Sequence, residues 1–259
     1  MKRKKIGRTF VMGDIHGAWK ALKQCLERSE FNYEADTLVQ LGDIVDGYDE
    51  SFECVEELLK VKNLVAIRGN HDDWFETFLQ SGFHPGQWNF GGKGTIMSYL
   101  KHAGKEIVCF PSSGGYKTSL NASDIPDSHR KLFFNQSLYF IDDKYRCFVH
   151  GGFDRNIPFG NQELGRYFWD RELWLGAMNH AAEGGMVRNF EMETRFREIY
   201  IGHTPTTNWN TDKPMTALNI TNLDTGAGHK GRLTIMDVDS KEYWQSDPVP
   251  SLYNENFRH

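Results

Sequence analysis

Thr9-Phe10-Val11-Met12-Gly13-Asp14-Ile15-His16-Gly17 is the stretch that decides the fold. An apolar run suited to a buried strand leads straight into a glycine, an acid and an imidazole. The pattern returns twice. Residues 37–41 lead into Gly42-Asp43-Ile44-Val45-Asp46, and residues 64–67 lead through Arg68 into Gly69-Asn70-His71-Asp72. Between these runs, residues 18–28 set Trp19, Leu22, Cys25 and Leu26 at helical spacing, and residues 52–61 do the same with Phe52, Val55, Leu58 and Leu59. The first third therefore predicts a βαβαβ unit. Such units form parallel sheets with right-handed crossovers and place ligands at the carboxyl ends of their strands. Neighbouring strand ends lie about 4.8 Å apart, so the three polar clusters converge.

Downstream, residues 72–137 read as helix and loop punctuated by Gly91, Gly92, Gly94, Pro111, Gly114 and Gly115, a cap-like segment. Strand signals return at 138–141, 146–149, 198–201, 217–223 and 232–238, and these predict a second sheet. His150-Gly151-Gly152 follows one of these runs and Gly202-His203-Thr204-Pro205 another. With no internal repeat and no linker, residues 1–259 read as one two-layered catalytic domain with an inserted cap.

Composition narrows the class. Apolar content of 39% and charged content of 25% are those of a globular chain, and a net charge of -5 argues against a dedicated nucleic-acid binder. Lys2, Arg3, Lys4 and Lys5 precede an apolar run too short for a signal peptide and read as a solvated lead-in to the first strand. No run approaches the ~20 apolar residues of a membrane span, so a cytoplasmic protein without a membrane partner is expected. Cys25, Cys54, Cys109 and Cys147 stand isolated and are expected reduced and buried.

Singly, a Gly-Asp or Asn-His pair after a strand is ordinary turn chemistry. Five such clusters after five apolar runs point instead to a metal site. Carboxylate, amide oxygen and imidazole without thiolate suit Mn, Fe or Zn with open positions. Two ions about 3.5 to 4 Å apart can share a carboxylate and a hydroxide, which gives a nucleophile near neutral pH and a clamp for in-line displacement at phosphorus. The reaction class that follows is phosphate ester hydrolysis.

In this order, G-D-x-H-G at 13–17, G-D-x-x-D at 42–46, G-N-H-D at 69–72, H-G-G at 150–152 and G-H-T-P at 202–205 resemble the calcineurin-like metallophosphoesterases. Within them the chain is most similar to the phosphoprotein phosphatases of bacteria and phages and to the related hydrolases of diadenosine tetraphosphate. The resemblance implies an α/β fold of two mixed β-sheets packed as a sandwich, flanked by helices, with a small cap insertion. It implies two divalent ions, with Mn the first choice and Fe or Zn the alternatives. Asp14 and His16 would hold the first, Asp43 would bridge, and Asn70, His150 and His203 would complete the second. His71 would be the general acid, with Asp46 orienting and charging its ring. Asn70 and Arg171 would contact the substrate phosphate.

The first functional reading is a serine/threonine-type protein phosphatase that works by direct attack of the bridging hydroxide. A dinucleoside polyphosphate hydrolase is the alternative, and a non-catalytic metal-binding scaffold is a third, lesser one. The expected partner is a phosphorylated protein or a small phosphate ester, not nucleic acid.

One position departs from the resembled pattern. Phosphatases read G-D-x-x-D-R-G, with an Arg whose planar fork bonds two phosphate oxygens, whereas Gly47 and Tyr48 follow Asp46 here. Trp169-Asp170-Arg171 is similar to the segment carrying a second phosphate-binding Arg, against which stands a surface Arg paired with Asp170 or Glu172. Arg68 is expected to support the metal loop. The glycine-rich run Asn89-Phe90-Gly91-Gly92-Lys93-Gly94-Thr95 fails the nucleotide P-loop pattern and is expected to touch substrate from the cap. Neither Cys109 nor Cys147 has the C-x5-R context of a cysteine phosphatase, and no G-x-S-x-G elbow is present.

Overall fold

A computed structural model describes residues 7–84, 86–112 and 115–256. Lys2, Arg3, Lys4, Lys5 and Gly114 lie outside the described residues, as does the side chain of Cys109. The predicted βαβαβ unit is present: β1 (Thr9–Met12), α1 (Trp19–Arg28), β2 (Thr37–Gln40), α2 (Ser51–Leu58) and β3 (Asn63–Ala66). Helices α3 (Asn70–Ser81) and α4 (Gly92–Ala103), the hairpin β4 (Cys109–Ser112) and β5 (Gly115–Thr118), and α5 (Asp127–Phe134) follow. The second half comprises β6 (Tyr139–Ile141), β7 (Arg146–Val149), α6 (Arg166–Trp169), α7 (Glu172–Ala182), α8 (Val187–Thr194), β8 (Glu198–Ile201), β9 (Met215–Ala217), β10 (Ile220–Asn222), β11 (Thr234–Asp237) and β12 (Tyr243–Gln245). No helix among the described residues is long and apolar enough to cross a membrane.

Two mixed five-stranded sheets result, ordered β12-β11-β1-β2-β3 and β6-β7-β8-β10-β9. Successive side chains of a strand point to opposite faces, and the apolar residues divide accordingly. Phe10, Met12 and Leu38 face a core shared with α1 and α2, while Val11 and Val39 meet Phe148 and Tyr200 of the second sheet. On that second sheet Cys147, Val149, Ile199 and Ile201 turn outward to the core under Leu173, Trp174 and Phe190. Three apolar layers thus bind helices, sheet, sheet and helices into one sandwich. Burying side chains of this size contributes about 1.5–3 kcal/mol each.

The 72–137 segment shares the first of these layers: Phe75, Phe78, Trp88, Tyr99 and Phe133 are buried in the same cluster as Phe10 and Leu22.

Two strand expectations are corrected. Residues 217–223 are not one strand but the hairpin of β9 and β10, because Leu218 turns at φ 56. Residues 232–238 do not join the second sheet. Instead, β11 runs antiparallel beside β1.

Candidate active site

Register brings the site together. Met12 pairs with Gln40 and Gln40 with Ala66, so the strands carrying Asp14, Asp43 and Asn70 end abreast. In the second sheet Phe148 pairs with Tyr200 and Ile201 with Asn222, which aligns the ends carrying His150, His203 and Asp224. Five of these six were expected from the sequence. Asp224 was missed, although Leu223-Asp224-Thr225-Gly226 repeats the signal of an apolar run broken by an acid and a glycine.

Four residues of the candidate site carry strained backbone: His16 (φ 53), Asp43 (φ 55), Asp46 (φ 70) and His203 (φ 65). Positive φ on non-glycine residues costs of order 1–3 kcal/mol and persists only where surroundings enforce it. The surroundings are visible. Ile15 and His16 donate backbone N–H groups to the Asp43 carbonyl at 3.0 and 2.9 Å, and the Asp72 carboxylate accepts from Ile44 N–H at 2.9 Å, Gly69 N–H at 3.3 Å and Gln136 Nε2 at 2.8 Å. Burial raises Asp72 to about 7. The glycines leave room for carboxylates, since a Cβ on Gly69 would lie 2.1 Å from Asp43 Oδ1 and one on Gly202 2.2 Å from Asp14 Oδ1.

Asp43 sits at the centre. Its Oδ1 accepts the His71 N–H at 2.9 Å, one of the amides at the start of α3 that point out of the helix, whose positive end favours an anion. Its Oδ2 lies 3.7 Å from His16 Nε2 and 3.5 Å from His150 Nε2. Burial alone would raise Asp43, yet His150, His71 and His16 hold it well below the usual carboxylate range. Asp14 moves the other way, raised by burial and then by neighbouring Asp224, while its oxygens accept the His203 N–H at 3.1 and 3.3 Å. His16 Nε2 lies 3.8 Å from Asp14 Oδ2, and Asn70 Oδ1 lies 3.2 Å from His150 Nε2.

The ring nitrogens are assigned by what they touch. His16 Nδ1 donates to the Asp46 carbonyl at 2.9 Å and His150 Nδ1 to the Leu41 carbonyl at 2.7 Å. Each leaves Nε2 as the inward atom, the arrangement that a backbone carbonyl on the far nitrogen gives a metal-ligating imidazole. Burial works against charge on His150, but Asp43 and Asp14 raise it to about 9; burial, His150 and Arg171 hold His203 well below the usual imidazole range.

His71 and Asp46 form the expected pair, with Nδ1 to Oδ2 at 2.9 Å. The other oxygen of Asp46 accepts from Trp88 Nε1 at 2.8 Å and Thr95 Oγ1 at 2.6 Å, and the Thr95 hydroxyl also accepts the Asp46 N–H at 2.9 Å. Neither anchor carries a sequence signature of a site residue. They add a supporting role to the glycine-rich run, whose Phe90 lines the cavity and which opens α4 and packs against the Asp46 loop. Gly47 N–H donates to the Gly91 carbonyl at 3.1 Å, a Cβ on Gly94 would lie 2.8 Å from the Tyr48 carbonyl, and Lys93 is not among the cavity-lining residues. Gly47 itself has φ 126, a conformation in which an Arg would be strained.

These groups open into a cavity of about 280 Å³ lined by Asp14, His16, Asp43, Asn70, His71, Asp224 and His203, with Trp74, Phe90, Trp169, Arg171, Pro205 and His229 around them. Arg171 is exposed and donates from Nη1 to the His203 carbonyl at 3.4 Å. It is Arg166, not Arg171, that pairs with Asp170 at 2.9 Å and Glu172 at 3.5 Å. Arg68 lies outside the cavity and pairs with Asp73 at 3.5 Å and with Glu76 on α3.

The donor set fits divalent ions. The trios His16-Asp43-His71 and Asp43-His150-His203 each bring their ligand atoms within 4.8 Å of one another. His203 Nε2 is buried without a hydrogen-bond partner, and Asp14, Asp43 and Asp224 are buried carboxylates on one wall. A buried polar atom left unpaired is costly, and a cation at this point satisfies it.

Comparison with known proteins agrees with this geometry. Residues 7–229 match the family model described as calcineurin-like phosphoesterase. Over 231 residues the chain is 35% identical to serine/threonine-protein phosphatase 1 of Salmonella typhimurium, covering 88% of this chain and 91% of that protein. Over 271 residues it is 24% identical to the symmetrical bis(5'-nucleosyl)-tetraphosphatase of Pseudomonas putida, covering 92% of each. The metallophosphoesterase structure from Sphaerobacter thermophilus superposes with a TM-score of 0.53 at 16% identity, over 93% of this chain and 89% of that one. The chain belongs to the calcineurin-like phosphoesterase family and is a hydrolase acting on phosphate esters.

Proposed function

We propose that this metallophosphoesterase is a serine/threonine-type phosphoprotein phosphatase of the cytoplasm. The observation that carries the reading is 35% identity spread over 88% of the chain to a serine/threonine phosphatase. The buried, unpaired thiols of Cys25, Cys54 and Cys147 are in keeping with a reducing compartment.

Asp14, His16 and Asp43 would hold a first divalent ion, and Asp43, Asn70, His150 and His203 a second, with Mn the first choice. Bound there, such ions supply Lewis acidity and activate water near neutral pH. The chain's own groups do the rest. Asn70 and Arg171 hold the phosphate, the guanidinium compensating in part for the Arg that Gly47 displaces. His71 gives a proton to the leaving oxygen, and Asp46, held by Trp88 and Thr95, fixes the ring.

Dinucleoside polyphosphate hydrolysis is the second reading, favoured by the aromatic faces at the cavity mouth, on which a base can stack. Chelator-stripped protein restored with Mn and given a phosphoserine peptide, a phosphothreonine peptide and diadenosine tetraphosphate separates the two. Mn-dependent release of phosphate from the peptides is expected. Turnover of the dinucleotide alone would reverse the order.

A further inference from the structure

The cavity mouth carries large rings that the metal site does not use. Phe90 is 61% exposed and Trp169 46%, and Trp169 is the only tryptophan of the exposed class among the described residues. Trp74, half-buried, stands between them: its ring centroid lies 6.5 Å from Phe90 at 27° and 5.5 Å from Trp169 at 54°. At its inner end the wall touches the site, with Trp74 4.7 Å from the His71 ring and Trp169 5.7 Å from His203.

Rings of this size are normally covered, and single exposed ones need no explanation. Three in contact, lining the same cavity as the candidate ligands and the acid, form a continuous apolar face rimmed by polar groups, which marks a binding surface. Its position matters as much as its chemistry. The wall runs from His71, where the leaving group departs in the reading above, to His203 beneath Arg171. A substrate phosphate held at the ligand cluster would present the group attached to it to these faces. Offset stacking and edge-to-face contacts reward a flat ring there and give nothing to a short polar chain.

Resting on the phosphatase reading, we infer that Trp74, Phe90 and Trp169 are specificity-determining residues that stack a planar ring carried by the substrate beside its phosphate. Three sources share this chemistry: a nucleobase, a tyrosyl ring, and an aromatic residue flanking a phosphorylated serine or threonine.

The test compares benzyl phosphate with glycerol 2-phosphate, esters of aliphatic alcohols that differ in the ring, on Mn-loaded protein. Wild type should favour the benzyl ester in kcat/KM. Phe90→Ser and Trp169→Ala, both at exposed positions that the core does not need, should each reduce that preference about three- to tenfold, and Trp74→Leu should reduce it at least as much. A preference unchanged in all three variants overturns the inference, whatever happens to absolute rates. Diadenosine tetraphosphate, a phosphotyrosine peptide and a phosphoserine peptide with a Phe neighbour, the last set against its Ala counterpart, then identify the source by which selectivity collapses.

Binding of the non-hydrolysable benzylphosphonate, followed by tryptophan fluorescence, separates this inference from the activity on which it rests. If wild type turns over neither ester, the phosphatase reading fails. Weaker benzylphosphonate binding in the variants then still supports the wall, and equal binding overturns it.

Discussion

The strand ends of the first sheet and those of the second reach one seam by different means. Asp14, Asp43 and Asn70 stand between a strand and the helix that follows it, Asn70 at the first residue of α3, and the start of α3 lends an amide to Asp43. His150, His203 and Asp224 stand where strands pass into loops, and the imidazole positions are fixed by atoms of the other half: Leu41 holds the His150 ring, and Asp14 accepts the His203 amide. The difference teaches a division of labour. The helix-backed half carries Asp14, His16, Asp43, Asn70 and His71, while the loop-backed half brings His150, His203, Asp224 and Arg171 and borrows its order from its partner.

Asp43→Asn tests the seam itself and should have the largest effect. It removes the charge that faces His16 from one half and His150 from the other, and turnover should fall by about 10³-fold or more, with Mn uptake weakened and the fold kept. Steady-state kinetics with metal analysis and circular dichroism check this, and a loss below tenfold would remove Asp43 from the centre of the chemistry.

The division of labour is sharpened by a pair. His71→Asn should lower kcat by about 10²-fold or more for esters of poorly leaving alcohols and far less for good leaving groups, whereas Arg171→Ala should raise KM about tenfold for both. A leaving-group dependence in the Arg171 variant would break the contrast.

A smaller effect concerns the helical layer of the first half alone. His84 is buried beside Phe78 and Trp88, and burial followed by the charge of Lys117 lowers it to about 4. Its folded value lies below the ordinary 6.5, so the folded state resists protonation. Stability from this source is complete above pH 6.5 and lost as pH falls toward 4, about 2 kcal/mol of it between pH 7 and 5. Urea unfolding of wild type and His84→Gln at the two pH values reads the difference, and equal slopes in the two proteins would discount it.

The two halves also differed in how far sequence could reveal them. In the first, helix and strand periods alternate and each strand ends in a glycine and a ligand-type residue, so the order of elements and the polar clusters could be read directly. In the second, a short apolar run specifies a strand but not its partner. Nothing local in residues 232–238 says that β11 belongs beside β1, and the turn at Leu218 hides inside an apolar stretch. Thr95 and Trp88 were out of reach for a different reason: they act through a hydrogen bond to Asp46 that only packing brings about.

Trp88 belongs to two structures at once. Its ring is wholly buried, 5.8 Å from Phe75 and 5.2 Å from Phe78, while its indole nitrogen holds the carboxylate that aligns His71. Loosening of that aromatic cluster on heating would reach His71 before the sheets separate. Heat inactivation should therefore run ahead of unfolding, and for core substitutions around Trp88 the rate of turnover becomes a more sensitive thermometer than the melting temperature.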